Sequence, residues 1–201
     1  AAAGAPGRAE PFAGLRPGTY AVVELTPDGL IDGEEHVGTI EGRTVGRIAA
    51  AGRIDEITLA SSQQAIDYDF CERVPAQLSG FVYHDRDNDG RRESGEEGLA
   101  GVTVTLLGEA GQQVATTQTD TQGRYQFVGL LAGVYAAIEV QPESWIDGLD
   151  AAGTVGGQAL ADGTRSVPVT AGEAVNPGDR IGQIRLWWGD EGVDYNFGEL
   201  R

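Results

Sequence analysis

Two stretches of this chain are copies of each other. Residues 12–39 (FAGLRPGTYAVVELTPDGLIDGEEHVGT) and 127–154 (FVGLLAGVYAAIEVQPESWIDGLDAAGT) align without a gap at an offset of 115, with 13 identical residues in 28. The match resumes at an offset of 127. There Arg53-Ile54-x-x-Ile57-x-Leu59 answers Arg180-Ile181-x-x-Ile184-x-Leu186, and Asp67-Tyr68-Asp69-Phe70-Cys71-Glu72 answers Asp194-Tyr195-Asn196-Phe197-Gly198-Glu199. The second copy carries a 12-residue insertion between these blocks, around Gly157–Pro177. A period of about 120 residues is too long for a solenoid unit and fits a whole domain. The chain is therefore expected to be two versions of one fold.

The two versions are unequal. Residues 79–201 form a complete copy, whereas residues 12–74 lack the counterparts of 80–115 and read as the back part of the same domain. Residues 1–11 are an Ala-, Gly- and Pro-rich N-terminal extension, and residues 75–78 read as a short linker stiffened by Pro75. A partial β-domain leaves unpaired strand edges and an uncovered apolar face. Three resolutions are open: a piece of a longer repeat array, completion by strands from another chain through β-augmentation, or docking of the partial copy on residues 79–201. The first two make adjacent repeats, or other copies of the chain, its partners.

The complete copy is written in strand grammar. Val102, Val104 and Leu106 alternate with Thr103 and Thr105, and Tyr125 and Phe127 with Arg124 and Gln126. That period of two puts the apolar set on one face. Strands are expected near 79–84, 102–107, 113–119, 124–128, 133–140, 180–186 and 193–197, with Thr121-Gln122-Gly123 as a hairpin turn. Short strands with turns this frequent imply an all-β, antiparallel sandwich.

Between the first two of these strands lies Asp85–Glu96, DRDNDGRRESGE. Asp85, Asp87 and Asp89 hold positions one, three and five of a twelve-residue loop, Gly90 holds six and Glu96 twelve. This fits the calcium-loop pattern D-x-[DN]-x-[DN]-G-x5-E at every specified position. A hard cation takes roughly six to eight oxygens. Alternate short carboxylates on a turning backbone converge, Gly at six permits the turn, and a carboxylate at twelve can give two oxygens. Arg91, at seven, would ligate through its main-chain carbonyl, and Glu93, at nine, directly or through water. The competing reading is an acidic turn neutralised by Arg86, Arg91 and Arg92. The flanking segments are strand-like and not helical, so the loop is expected to stiffen a β-domain.

Composition narrows the function. Asp and Glu outnumber Lys and Arg 31 to 14, for a net charge of −17. Such a surface repels nucleic acid and anionic membranes and attracts divalent cations. No stretch approaches the ~18 apolar residues that a membrane span needs. No leader or sorting tail is evident, so the sequence reads as processed or excised. The single cysteine, Cys71, permits no internal disulfide; it reads as a small buried or idle side chain, with pairing between chains as the alternative. His36 and His84 lie in different copies without zinc spacing, and no serine has a G-x-S-x-G context. No enzyme is expected.

The motif series has a familiar order: Ser79-Gly80-Phe81-Val82-Tyr83, Asp85-x-Asp87-x-Asp89-Gly90, Gly98-Leu99-Ala100-Gly101-Val102-Thr103-Val104, Thr119-Asp120-x-x-Gly123-x-Tyr125-x-Phe127, Gly133-x-Tyr135-x3-Glu139 and Asp194-Tyr195-Asn196-Phe197-Gly198-Glu199. It resembles the SdrD B-like domains, the B-type repeats of serine-aspartate surface adhesins and relatives of the collagen-adhesin B domains. The resemblance covers 79–199 and, truncated, 12–72. It implies a prealbumin-like or Ig-like sandwich, calcium at the loop, and an extracellular stalk or adhesin array. The implied calcium ligands are Asp85, Asp87, Asp89, Glu96 and the Arg91 carbonyl. Many collagen-adhesin B-like domains make an internal Lys–Asn isopeptide bond assisted by an acid in the Tyr-x3-Glu strand. Glu139 and Glu24 match that acid, but the chain has no lysine, so no such bond can form. Glu139 is then either on a partly exposed strand face or a hydrogen-bonded acid near the sheet.

The expected function is thus an extracellular or cell-surface, calcium-stabilised repeat protein with a structural or adhesive role, as stalk, matrix or filament subunit. The alternative is a carbohydrate- or protein-binding module using the Trp187-Trp188 region or the inter-strand loops. Asp32-Gly33 and Asp147-Gly148 recur as Ile-Asp-Gly in both copies. They fit a turn or further calcium oxygens equally well.

Overall fold

The computed structural model describes residues 11–156, 158–161, 165–166 and 179–201. Nearly all of the N-terminal extension and most of the insertion fall outside the described residues. The chain divides into two compact units, Ala1–Arg73 and Val74–Arg201. Every regular element among the described residues is a β-strand. The fold is an all-β sandwich tandem in which the first copy is incomplete.

In the first unit the strands are β1 (Gly18–Val23), β2 (Ile31–His36), β3 (Thr39–Ile40), β4 (Arg43–Thr44), β5 (Arg47–Ala50), β6 (Arg53–Leu59), β7 (Ala65–Ile66) and β8 (Asp69–Arg73). They form the antiparallel sheets β1-β6-β5, β4-β3-β7 and β2-β8. In the second unit they are β9 (Ala76–His84), β10 (Thr103–Gly108), β11 (Gln113–Gln118), β12 (Arg124–Leu130), β13 (Gly133–Glu139), β14 (Ile146–Asp147), β15 (Gln158–Ala161), β16 (Arg165–Ser166), β17 (Arg180–Leu186), β18 (Glu191–Gly192) and β19 (Phe197–Leu200). One sheet runs β11-β10-β13-β17-β15-β16 and the other β12-β9-β19-β14.

The inner faces of these two sheets make the core of the second unit. Leu78 and Val82 from β9, Val104 and Leu106 from β10, Tyr125 and Phe127 from β12, and Ile181, Ile184 and Leu186 from β17 are all buried. The alternation in the sequence is thus the alternation of the pleat. The Tyr125 hydroxyl, wholly enclosed, donates to the Tyr195 carbonyl at 2.7 Å. Gly80 marks the closest approach, since a Cβ there would lie 1.7 Å from the Tyr195 carbonyl oxygen.

The repeat is visible in register. Tyr20 faces Ile57 and Val22 faces Ile54 across β1 and β6, with a shift between them. Tyr135 faces Ile184 and Ala137 faces Ile181 across β13 and β17, with the same shift. The Tyr20 hydroxyl donates to the Arg16 carbonyl as Tyr135 does to Leu131. What differs is the neighbours. β13 lies between β17 and β10, and β19 between β14 and β9, whereas β1 pairs only with β6 and β8 only with β2 among the described residues. The core of the first unit is correspondingly small: Ile40, Ile54, Ile57 and Leu59.

Three sequence expectations need correction. Residues 76–78 are not linker: they open β9, because Ala76 and Leu78 are fully buried in the core. Thr121-Gln122-Gly123 is a turn but not a hairpin, because β11 and β12 belong to opposite sheets. It carries the chain across the core edge, where Asp120 Oδ1 accepts from the Gln122 and Arg124 N–H groups at 2.8 and 2.9 Å. The final strand starts at Phe197, not 193, because Asp194 takes a left-handed φ of 63° that interrupts the extended run. In addition, β18 and β19 both run parallel to β9, within a sandwich whose other pairings are antiparallel.

Candidate metal centre

The loop starts where β9 ends, so its first carboxylate is fixed by the sheet. The Asp85 N–H donates to the Glu199 carbonyl of β19 at 2.9 Å, and Asp85 itself is fully buried. Its Oδ2 accepts from the Gly90 N–H at 2.8 Å and its Oδ1 from the Asp89 N–H at 3.3 Å. Position one thus caps the turn made by positions five and six. Gly90 has φ 74° and Asn88 φ 55°, two left-handed residues that fold the loop back on itself. Asp89 Oδ1 accepts from the Arg91 N–H at 2.8 Å. At the far end Glu96 closes the ring, accepting from the Arg86 N–H through Oε1 and the Glu93 N–H through Oε2, both at 2.9 Å.

The result is two overlapping carboxylate triads. Ligand oxygens of Asp85, Asp87 and Glu96 lie within 4.8 Å of one another, and so do those of Asp87, Asp89 and Glu93. Five of the six expected site residues are therefore brought together. Arg91 enters through its backbone in the turn, and its side chain is exposed. The donors are all oxygen, which suits a hard cation such as Ca²⁺. Burial raises the Asp85 carboxyl above its ordinary range, against the lowering effect of the N–H groups it accepts from. Glu93 is also raised, by desolvation and by the neighbouring Asp89 and Asp87 charges. A cation among these acids would relieve both effects. The arginines are arranged around the ring rather than in it. Arg86 pairs with Glu97 at 3.0 Å and Arg92 lies over the Phe81 ring at 4.1 Å.

The floor of the loop explains a difference between the copies. A Cβ on Gly198 would lie 2.6 Å from the Leu149 carbonyl oxygen and 3.3 Å from both Cβ and Oδ2 of Asp85. Only glycine leaves room for the loop to seat. The first copy has Cys71 at that position, without a loop above it, and Cys71 is exposed.

Other expectations fare differently. Glu139 is not partly exposed: it is 3% exposed, and its carboxyl shares a hydrogen bond with the Glu199 carboxyl, so it is the hydrogen-bonded acid of the two readings. Asp147 of the Ile-Asp-Gly pair joins Asp179 and Glu199 in a third group within 4.8 Å, and Asp32 joins Glu24 and Glu72 in a fourth. These residues are far apart in sequence, and only the recurrence of Glu24, Asp32 and Glu72 as Glu139, Asp147 and Glu199 hinted at them. Trp187 and Trp188 sit in the turn after β17 and not in a strand; Trp187 is 63% exposed and Trp188 half-buried. His84, the last residue of β9, packs edge-on against Trp145, with centroids 5.0 Å apart.

The family model of the SdrD B-like domain matches residues 76–174. Serine-aspartate repeat-containing protein C of Staphylococcus aureus strain Newman is 34% identical over 131 residues, which is 65% of this chain and 13% of that protein. The strain N315 protein of the same name is 33% identical over the same span. Among solved structures, the major pilin subunit BcpA of Bacillus cereus aligns over 92% of this chain and 60% of its own, at 9% identity and a TM-score of 0.37. The shaft pilin SpaA of Lactobacillus rhamnosus GG aligns over 60% and 49%, at 14% identity and a TM-score of 0.26.

Proposed function

We propose that this chain, whose residues 76–174 match the family model of the SdrD B-like domain, is a calcium-stabilised structural repeat of an extracellular, cell-surface protein. The observation that carries the proposal is the convergence of Asp85, Asp87 and Glu96 within 4.8 Å, on a loop seated on β19. Asp85, Asp87, Asp89, Glu93 and Glu96 would hold Ca²⁺ with the Arg91 carbonyl. The ion would supply charge neutralisation only.

The chain's own residues do the rest. The loop connects β9 in one sheet with β10 in the other, so fixing it ties the two sheets together at one end. Asp85 fastens it to β19 through the Glu199 carbonyl, and His84 fastens it to Glu97 through a backbone bond of 2.9 Å. A sandwich clamped in this way resists shear between its sheets, which is what a stalk or filament module needs. In this reading the open edges of β1 and β8 take strands from an adjacent repeat or another copy. Light scattering that finds only monomer at every concentration would remove that last element.

The test is thermal unfolding of the full chain in ~1 mM calcium and in chelator. For a site of ~10 µM affinity, saturation stabilises by about 2.7 kcal/mol. That corresponds to a shift on the order of 10 °C in the unit that carries it. The D87A/D89A variant, which removes two ligand oxygens that asparagine would keep, should lose most of the shift, and equal shifts in variant and parent would refute the loop as its source. A second reading, a carbohydrate- or protein-binding module, has one observation in its favour: Trp187, large and 63% exposed in the turn after β17. It requires that W187A abolish capture of a glycan or matrix protein without changing stability.

A further inference from the structure

A strand at the edge of a sheet offers a row of unpaired N–H and C=O groups, and proteins guard such edges with charged residues, proline or very short strands. Most edges of this chain are guarded. Among the described residues, β2, β5, β8 and β12 each carry at least one charged residue, and β4, β7, β14, β16 and β18 are only two residues long. Two edge strands are unguarded. β1 reads Gly-Thr-Tyr-Ala-Val-Val and β11 reads Gln-Val-Ala-Thr-Thr-Gln; each has six residues, no charge and no proline. β1 pairs only with β6, and β11 only with β10. In a chain of net charge −17, two uncharged edges are where copies can approach each other.

The second unit shows what the β1 edge is shaped for. Residues 20–24 are the counterparts of residues 135–139. Those five take β10 in unbroken antiparallel register, from Gly108 opposite Tyr135 to Val104 opposite Glu139. With that neighbour in place Ala136 is buried, whereas its counterpart Ala21, with none, is exposed. Phe12 and Leu15, just before β1, are 77% and 48% exposed, while their counterparts Phe127 and Leu130 lie in the core. β10 itself is enclosed between β11 and β13, so the uncharged edge that a second copy can offer is β11. The register shift in β11 falls at Val114, which leaves residues 115–118 as a straight stretch. Along it Ala115 and Thr117 are half-buried, and Thr116 and Gln118 are exposed.

We propose that β1 of one copy adds, antiparallel, to the β11 edge of a second copy, so that copies join head to tail into an open filament. This rests on the structural-repeat reading above and names the strand that the open edge accepts. Pairing β1 with β11 satisfies both unguarded edges of every copy, whereas pairing β1 with β1 leaves β11 open. The two surfaces differ, so the contact is heterologous and does not stop at a dimer. β8, with Asp69, Glu72 and Arg73, takes no part in it.

The experiment is sedimentation velocity of the full chain across a dilution series in ~1 M salt, where the Debye length is about 3 Å and repulsion between copies is muted. The parent should grow into species larger than a dimer as concentration rises. A21K and T116K each put one lysine, a natural guard of strand edges, on an exposed position of β1 or of β11. Both lower the net negative charge, so a loss of association cannot come from added repulsion. Each alone should be monomeric, and each is checked for a cooperative unfolding transition. Mixed, they should form a 1:1 dimer and nothing larger, because T116K keeps the β1 edge and A21K keeps the β11 edge. A parent that is monomeric throughout, a folded variant that still associates alone, or a mixture that stays monomeric would overturn the pairing. Melting the T116K chain in calcium and in chelator judges the repeat reading separately. A calcium shift beside a monomeric parent removes the strand pairing alone, and a growing parent without the shift removes the calcium reading alone.

Discussion

Gly198→Ala puts one methyl group where the structure leaves no room for it. The new Cβ would lie 2.6 Å from the Leu149 carbonyl oxygen and 3.3 Å from Asp85 Oδ2. The first distance is below any ordinary contact, so either β19 or the segment after β14 must move. Gly198 pairs with Tyr83 in the parallel β19–β9 ladder, which is itself fully buried there. Neither strand can shift without disturbing the core. Overpacking of this kind costs about 1–3 kcal/mol. With a urea m-value of roughly 2 kcal/mol/M for a domain of this size, the midpoint falls by about 0.5–1.5 M. Displacing Asp85 also moves the first ligand of the loop, so calcium should recover less stability than in the parent. All three tryptophans, Trp145, Trp187 and Trp188, lie in the second unit. Their fluorescence therefore follows that unit alone, even though a two-unit chain need not unfold in one step. Cys71→Ala, at the matching but exposed position, is the internal control and should change stability by less than about 0.5 kcal/mol. An unchanged midpoint and unchanged calcium response in G198A would refute the seating of the loop on β19.

Other predictions follow from single contacts. Tyr125→Phe removes the buried bond to the Tyr195 carbonyl and should cost about 1–2 kcal/mol by the same fluorescence assay, with calcium affinity retained. Phe127→Ala empties the centre of the sandwich and should cost about 3–5 kcal/mol. In chelator, the second unit should lose stability as pH rises. Burial holds the Glu139, Glu199 and Asp150 carboxyls above their ordinary range. The unfolded chain then gives up these protons at lower pH than the folded one. The favourable contribution is complete below the unfolded values and is lost upward from about pH 4.5, the usual glutamate value, through the raised native range. Urea midpoints at pH 5 and pH 8 decide it, and a higher midpoint at pH 8 without calcium would contradict the burial of these acids. Trp187→Ala should leave the midpoint within about 0.5 kcal/mol, because the side chain is mostly in solvent.

Much of the sandwich was legible because its signals are local. The alternation at Val102, Val104 and Leu106 needs only the pleat to become a buried face. The spacing of Asp85, Asp87, Asp89, Gly90 and Glu96 is a property of one continuous loop. The tandem was legible because both copies keep the same turn and cross-strand residues. The errors lie where one segment depends on another. Thr121-Gln122-Gly123 announces a turn, but no residue in it says which sheet the next strand joins. Ala76 and Leu78 read as linker next to Pro75, and only the opposite sheet shows that they are core. The buried acids are harder still, since Glu139, Asp147, Asp150, Asp179 and Glu199 meet only through strand register. The one trace was internal: Glu24, Asp32 and Glu72 stand at the same places in the first copy. Glu139, matched to an acid with a lysine partner, could not be placed once lysine was absent.

The central claim is that Asp85–Glu96 is a structural calcium site, and a crystal structure of the full chain grown with calcium tests it most directly. The account predicts anomalous density inside the loop, with oxygens of Asp85, Asp87, Asp89 and Glu96 and the Arg91 carbonyl at about 2.3–2.6 Å. A loop holding only water, its carboxylates neutralised instead by the side chains of Arg86, Arg91 and Arg92, would contradict it.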